Sequence, residues 1–389
     1  MKLQSLLLGS VVLLAFCGCA QPLPTGQVAS LAARQCAIME QALSEDTMPR
    51  TFQDGQLVLS DTHWWCSGFF PGVCWYTYKL GGDPAMRRMA LRQTAKLLDV
   101  SRLTADHDVG FQVLPSSGKA YLETGDTLYL RTIREAAAQL AGRFSPVTGV
   151  IKSWNKPEFT YPVIIDNMMN LELLTFAARL FDVPEWKEIA ITHARTTLRN
   201  HFRPDGTSYH LVDYNPVDGS ILRRGTVQGY ADESAWSRGQ AWGLYGFTMM
   251  YRETGETDFL EQALRIASYL LPRLEARPVP PWDFDAPEES VAQDDASAGA
   301  IMASAFLELS TLVGDNALAK RYRRQAMKTL KALCGNKYLA PEGEAGGFLL
   351  LHSTGHYSKG KEVDVPLTYA DYYFMEALWR SASAQKNPD

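Results

Sequence analysis

Two carboxylates stand at places where a proton could be moved: Asp166 in "YPVIIDNMMNLELL" and Asp108 in "HDVGFQVLPS". An Asp at the start of a helix has an ordinary use as an N-cap, accepting hydrogen bonds from orphan backbone N–H groups. Its other use is as half of a pair around one pocket, where one carboxyl gives a proton and the other stays charged. Burial raises a carboxyl pKa and a helix N-terminus lowers it. Asp166, among Ile164, Ile165, Met168 and Met169, is expected in the drier setting and so as the proton donor. Asp108, beside His107, is expected to be its wetter, charged partner. Further unusual residues occupy similar places: Trp64 and Trp65 before "CSGFF", Arg238 and Trp242 in "ESAWSRGQAW", and the stretch "TGHYSKGKEVDVPLTYADYY". Singly, each has a plain structural alternative. Arg238 could pair with Glu233, and Trp242 could be core.

The elements that must position these residues come in two kinds. Segments such as "GDPAMRRMALRQTAKLL" and "GDNALAKRYRRQAMKTLKAL" are amphipathic at helical period, with one apolar stripe. Six of these alternate with six segments apolar all round, such as "DNMMNLELLTFAARL" and "DASAGAIMASAFLELSTLV". The pattern predicts one all-α domain, an (α/α)6 barrel over residues 28–384, with inner helices opening near 67, 111, 166, 235, 295 and 367. A solenoid of helix pairs is the competitor, but solenoid repeats keep one length. Here long inserts precede the inner helices, as a pocket on one rim requires. If the inner helix starts converge there, Asp108, Asp166, Arg238, His107 and the Trp residues share a cleft.

Composition narrows the chemistry. Lys and Arg number 38 against 43 Asp and Glu, interspersed, so no basic stripe points to nucleic acid. The 9 Trp and 17 Tyr suit stacking on sugar faces as well as a large core. The histidines form no HExxH. His352 and His356 lie four apart in a loop without an acidic cluster, so no metal is expected there. Cys36, Cys66, Cys74 and Cys334 match no zinc spacing and are expected to be buried thiols. The opening "MKLQSLLLGSVVLLAFCGCAQ" reads as an export leader over 1–18, with "FCGC" resembling a lipobox that ends at Cys19. Lipidation there, with residues 19–27 as a tether, implies an exported periplasmic or outer-membrane lipoprotein. The lipid anchor would be its sole membrane contact.

The motifs "WCSGFFPGVCWYTY", "HDVGF", "GVIKSWN", "VIIDNMMNLELL", "GTVQGYADESAWSRGQAWGLYGF" and "DVPLTYADYYFMEAL" resemble the unsaturated glucuronyl hydrolases, family 88 of the glycoside hydrolases. The resemblance runs from about residue 60 to 380 and implies an (α/α)6 barrel. It also implies cofactor-free hydrolysis of oligosaccharides that end in a 4,5-unsaturated uronic acid, as lyases leave on glycosaminoglycan fragments. By motif, Asp166 is the acid that protonates C4 and then activates water, and Asp108 is the second essential carboxyl. Trp65 and Trp242 are expected to pack on the sugar ring. His107, His210, Gln228 and Arg238 are expected to hold the uronate and hydroxyl groups, Arg238 through a two-pronged bond to a carboxylate. In "STGHYS" the chain departs from the Ser-x-x-Ser-x-Lys expected in members that favour sulfated disaccharides, leaving Ser353, His356 and Ser358, then Lys359 and Lys361. The alternatives are an unsaturated rhamnogalacturonyl hydrolase, against which the intact "HDVGF" argues, and an inactive glycan-binding lipoprotein.

Overall fold

The computed structural model describes residues 23–102, 106–291 and 293–386. The leader and Cys19 lie outside the described residues. Six helices form an outer layer: α1 (Thr25–Gln41), α3 (Pro84–Ala95), α5 (Leu130–Ala141), α7 (Pro184–Asn200), α9 (Thr257–Ala276) and α11 (Asn316–Leu333). Between them run the inner helices α2 (Phe69–Gly81), α4, α6 (Asn167–Phe181), α8 (Ser237–Thr254), α10 (Ala296–Leu312) and α12 (Thr368–Lys386). Helix α4 is a broken rod: Val109–Val113, a wide turn Leu114–Gly118 containing Pro115, then Lys119–Thr124. Proline has no N–H to give to the helical ladder, and the turn widens around it.

The two layers differ as their side chains require. In α11 the buried residues are Tyr322, Gln325, Ala326, Thr329, Leu330 and Leu333, one stripe at helical spacing. In α10 nearly every residue from Ala296 to Leu309 is buried. The inner helices touch in the order α2, α4, α6, α8, α10, α12, and α12 returns to pack on α2. That last contact closes the ring and excludes the open solenoid. Inner starts fall within two residues of the expected positions.

Short antiparallel strands crown the helix-start end of the ring and were not expected from the sequence. Strands β1 (Thr47–Gln53) and β2 (Gln56–Asp61) form a hairpin before α2. The pair β3 (Phe144–Ser145) and β4 (Val150–Ile151), and then β5 (Pro162–Ile164), precede α6. Strands β6 (Leu211–Tyr214) and β7 (Ile221–Gly225) extend β5 into a three-stranded sheet, and β8 (Ser353–His356) with β9 (Lys361–Val365) precedes α12. Such short pieces, of two to seven residues, carry too little period-two alternation to be read as strands.

Candidate active site

Asp108 holds the N-cap position of α4 and Asp166 that of α6, yet neither side chain caps its own helix. The capping work at α4 is done from the neighbouring helix: Asn170 of α6 accepts the Phe111 N–H at 3.1 Å. Its amide nitrogen also reaches Asp108 Oδ1 at 3.5 Å. Gly110 permits this approach, because a Cβ there would stand 2.5 Å from Asn170 Oδ1. Both carboxyls are thereby free to face one cavity of about 430 Å³ at the helix-start end of the ring. The size suits a sugar unit rather than a single small ion.

The cavity wall also holds Trp65, Gln228, Arg238, Trp154, Lys156 and Tyr369. Trp65 leans on Tyr369 (ring centroids 5.1 Å) and Phe111 (5.6 Å), which fix its plane as a platform. Arg50, Lys359 and Lys361 bring positive charge to the rim, where His356 stays neutral because burial and the nearby cations drive its pKa down to about 4. Arg50 is partly committed, lying 4.5 Å over Trp64 and bonded to Glu362. Among the described residues no cluster of His, Cys, Asp or Glu could hold a metal ion, and Cys36, Cys66, Cys74 and Cys334 are free, the first three of them buried.

The electrostatics differ from the sequence expectation. The two carboxyl side chains are equally shielded, 13 % exposed each. Burial drives Asp166 up to about 7, against the opposing pull of the Arg238 charge, its own backbone and the Trp242 indole. Asp108 is pushed up as well: burial comes first, then the negative neighbours Asp106 and Asp166. Asp106 is the residue the sequence reading passed over. Its carboxylate accepts the Asp108 N–H at 3.0 Å and crowds its neighbour with like charge. Asp108 is therefore as shielded as Asp166 and, like it, held above the usual carboxylate range, not the wetter partner of the two.

Three expected contact residues lie behind the wall instead of on it. His107 is fully buried, 3.4 Å from Asp108, with its pKa driven down to about 3 by burial, so it is neutral. His210 is also buried. Its Nδ1 accepts the N–H groups of Val227 (2.9 Å) and Gln228 (3.3 Å), so its proton sits on Nε2. That nitrogen faces Asp166 Oδ2 at 3.7 Å. Trp242 is 1 % exposed, clasped by Phe111 (5.2 Å) and Tyr373 (5.4 Å). It underlies Asp166 and offers no face to a sugar.

Arg238 does line the cavity, but its fork is occupied. Nη1 donates to Asp295 Oδ2 (3.0 Å) and the Thr354 carbonyl (2.5 Å), and Nη2 to Gln228 Oε1 (2.9 Å) and the Gly355 carbonyl (2.6 Å). Two parallel bonds to a substrate carboxylate are not available from it. Its partner is Asp295, not Glu233. Of the loop before α12, Ser353 is buried, and Ser358 lies 3.2 Å from His356 Nδ1, so no serine pair lines the cavity.

The model of the family described as Glycosyl Hydrolase Family 88 matches residues 41–380. The chain belongs to that family. An unsaturated glucuronyl hydrolase of Formosa agariphila is 40 % identical over 321 residues, covering 81 % of this chain and 79 % of its own. An unsaturated chondroitin disaccharide hydrolase of Streptococcus pyogenes serotype M1 is 30 % identical over 363 residues, covering 91 % and 90 %. Among solved structures, an unsaturated glucuronyl hydrolase specific for heparin superposes with a TM-score of 0.90 at 42 % identity, covering 93 % of this chain and 98 % of that one. As in those family 88 neighbours, the fold is an (α/α)6 barrel, and the chain is a glycoside hydrolase of the unsaturated glucuronyl type. Trp154 and Tyr369 stand in stretches that carried the family resemblance, "GVIKSWN" and "DVPLTYADYY", and were legible there. Arg50 and Lys156 had no such signal.

Proposed function

We propose that this hydrolase removes the 4,5-unsaturated uronic acid from the non-reducing end of lyase-generated glycosaminoglycan-type disaccharides, by hydrating the enol ether. The observation that carries this is the pair Asp108 and Asp166, neither capping its helix, on one sugar-sized cavity. Asp166, held at about 7, gives its proton to C4 of the double bond. Positive charge then develops at C5 and is shared with the ring oxygen. The carboxylate left behind is steadied by Arg238 and takes a proton from water as the water oxygen bonds to C5. The resulting hemiketal opens, expelling the remaining sugar and leaving a 5-keto-4-deoxyuronate. Asp108, held above the usual carboxylate range by burial and its negative neighbours, can donate a hydrogen bond to a substrate hydroxyl while it carries its proton. No carboxylate attacks C1, so the carboxyl-separation rule for retaining and inverting enzymes does not apply.

Lys156, Lys359 and Lys361 along the cavity favour an acidic oligosaccharide over a neutral one. The lack of a serine pair on the wall favours disaccharides without sulfate. The test is a panel of unsaturated chondroitin, hyaluronan, heparin and rhamnogalacturonan products, followed by loss of enol-ether absorbance. Turnover confined to the rhamnogalacturonan product would reject the reading, and binding without any turnover would favour the inactive glycan binder.

We also propose that the chain is exported and lipid-anchored through Cys19. The lipobox-like "FCGC" supports this, and no helix among the described residues is long and apolar enough to cross a membrane. Labelling with a fatty acid should mark the wild type and leave Cys19→Ser unlabelled. Equal labelling would sink the anchor.

A further inference from the structure

We infer that Asp295 is a positioning residue for the reaction: it fixes and neutralises Arg238, and so sets the proton affinity of Asp166 without touching the substrate. Asp295 is fully buried and absent from the cavity wall. Its two oxygens have separate duties. Oδ1 caps α10, accepting from Ser297 N (3.1 Å), Ser297 Oγ (2.5 Å) and Ala298 N (3.3 Å), and it holds the Thr354 N–H at 3.4 Å. Oδ2 takes Arg238 Nη1 at 3.0 Å. One carboxylate thus ties together α8, α10 and strand β8, and α8 and β8 both carry cavity residues. Arg238 in turn aims the side chain of Gln228 and the carbonyls of Thr354 and Gly355.

The consequence for Asp166 is electrostatic. The groups facing it are Arg238 from α8, Asp108 from α4 and His210 ahead of β6, with Lys156 and His356 farther along the same wall. Since neutral His210 contributes no charge, Arg238 is the cation acting on Asp166, and Asp295 is its counter-ion. Without that counter-ion the Arg238 field favours the Asp166 carboxylate, and the acid loses its proton at lower pH.

This inference rests on Asp166 being the acid, which Asp166→Asn checks separately. Asp295→Asn and Asp295→Ser both keep an N-capping side chain and remove the charge. The alkaline limb of the kcat profile should move down by at least half a pH unit in both, with kcat at pH 5 retained within about threefold. In an Arg238→Gln background the same change should leave the limb in place, as expected for an effect routed through Arg238. A uniform loss of kcat with an unmoved limb, or the same shift without Arg238, would overturn the assignment. Melting curves confirm that each variant is folded. If Asp166→Asn keeps its activity, the proposed function itself has failed, and the two failures are told apart.

Discussion

Asp166 places function and stability in opposition. An acid poised at about 7 is useful because it is protonated near neutrality and still gives its proton up. The enzyme should therefore lose kcat as pH rises through about 7. The same carboxyl burdens the fold. Its pKa is raised on folding from an ordinary 3.8, so the folded state holds the proton more tightly than the unfolded chain. That advantage is complete below about pH 4 and is lost as pH climbs through 7, a difference on the order of 4 kcal/mol. Asp166→Asn should thus cut turnover by about 10²–10⁴ while unfolding later than wild type at pH 8 and at nearly the same point near pH 3.5. Melting both proteins at the two pH values checks it; a variant less stable at pH 8 contradicts the buried-acid account. Arg238 carries a different load. Arg238→Ala strands Asp295, Gln228 and two carbonyls, and should cost about 3–5 kcal/mol. A change in KM with an unchanged urea midpoint would show that those bonds do not support the fold.

At the scale of elements, the distinction between a capping Asp and a working one was partly legible. Asp83, Asp126 and Asp315 each follow a glycine at the turn from an inner to an outer helix, and each caps the helical turn it precedes. Gly82 and Gly125 end the inner helices in the left-handed conformation that favours glycine. Asp108 and Asp166 follow His107 and Ile165 and cap nothing. The helices could be read because burial all round and burial on one face leave different periodic signatures. The relative dryness of the two acids could not, since it depends on which side chains the ring brings near: Asp106 beside Asp108, Arg238 beside Asp166. The occupied fork of Arg238 was hidden for the same reason, because Asp295, Thr354 and Gly355 reach it from distant parts of the chain. A cap outside the site offers a clean contrast. Asp83→Ala, which removes the bond from Ala85 N at 2.8 Å, should cost about 1 kcal/mol and leave kcat/KM unchanged. Lost activity at full stability would mean that the outer layer does more than support the ring.

A closed ring of six helices would be a tube, and this one is stoppered. Below the carboxyls, Trp242, Phe111, Tyr373, Phe69 and Tyr372 pack ring against ring. Deeper still, Glu376 accepts from Tyr76 (2.8 Å), Tyr245 (3.1 Å) and Ser304 (2.7 Å), with Arg380 at 3.8 Å and Lys119 bonded to Tyr76 at 2.6 Å. Burial alone would raise the Glu376 carboxyl, but Arg380, Lys119 and these hydrogen bonds outweigh it and hold the pKa below the ordinary value of 4.5. The sign of its linkage is therefore opposite to that of Asp166. Its stabilisation is present above the unfolded pKa near 4.5 and disappears as pH falls through the lower, folded value. The two ends of the barrel thus limit the fold from opposite sides, the site in alkali and the stopper in acid. Glu376→Gln leaves Arg380 and Lys119 short of a counter-charge in a dry interior, and should cost about 3–5 kcal/mol at pH 7. The gap to wild type should narrow as pH drops below 4, where the native glutamate is itself becoming protonated. Glu376 lines no part of the cavity, so the alkaline limb of kcat should stay in place. Urea midpoints for both proteins at pH 7 and pH 3.5, with one pH–rate profile, separate the outcomes: a gap that widens in acid would mean that the charge on Glu376 is tolerated by the fold and not used by it.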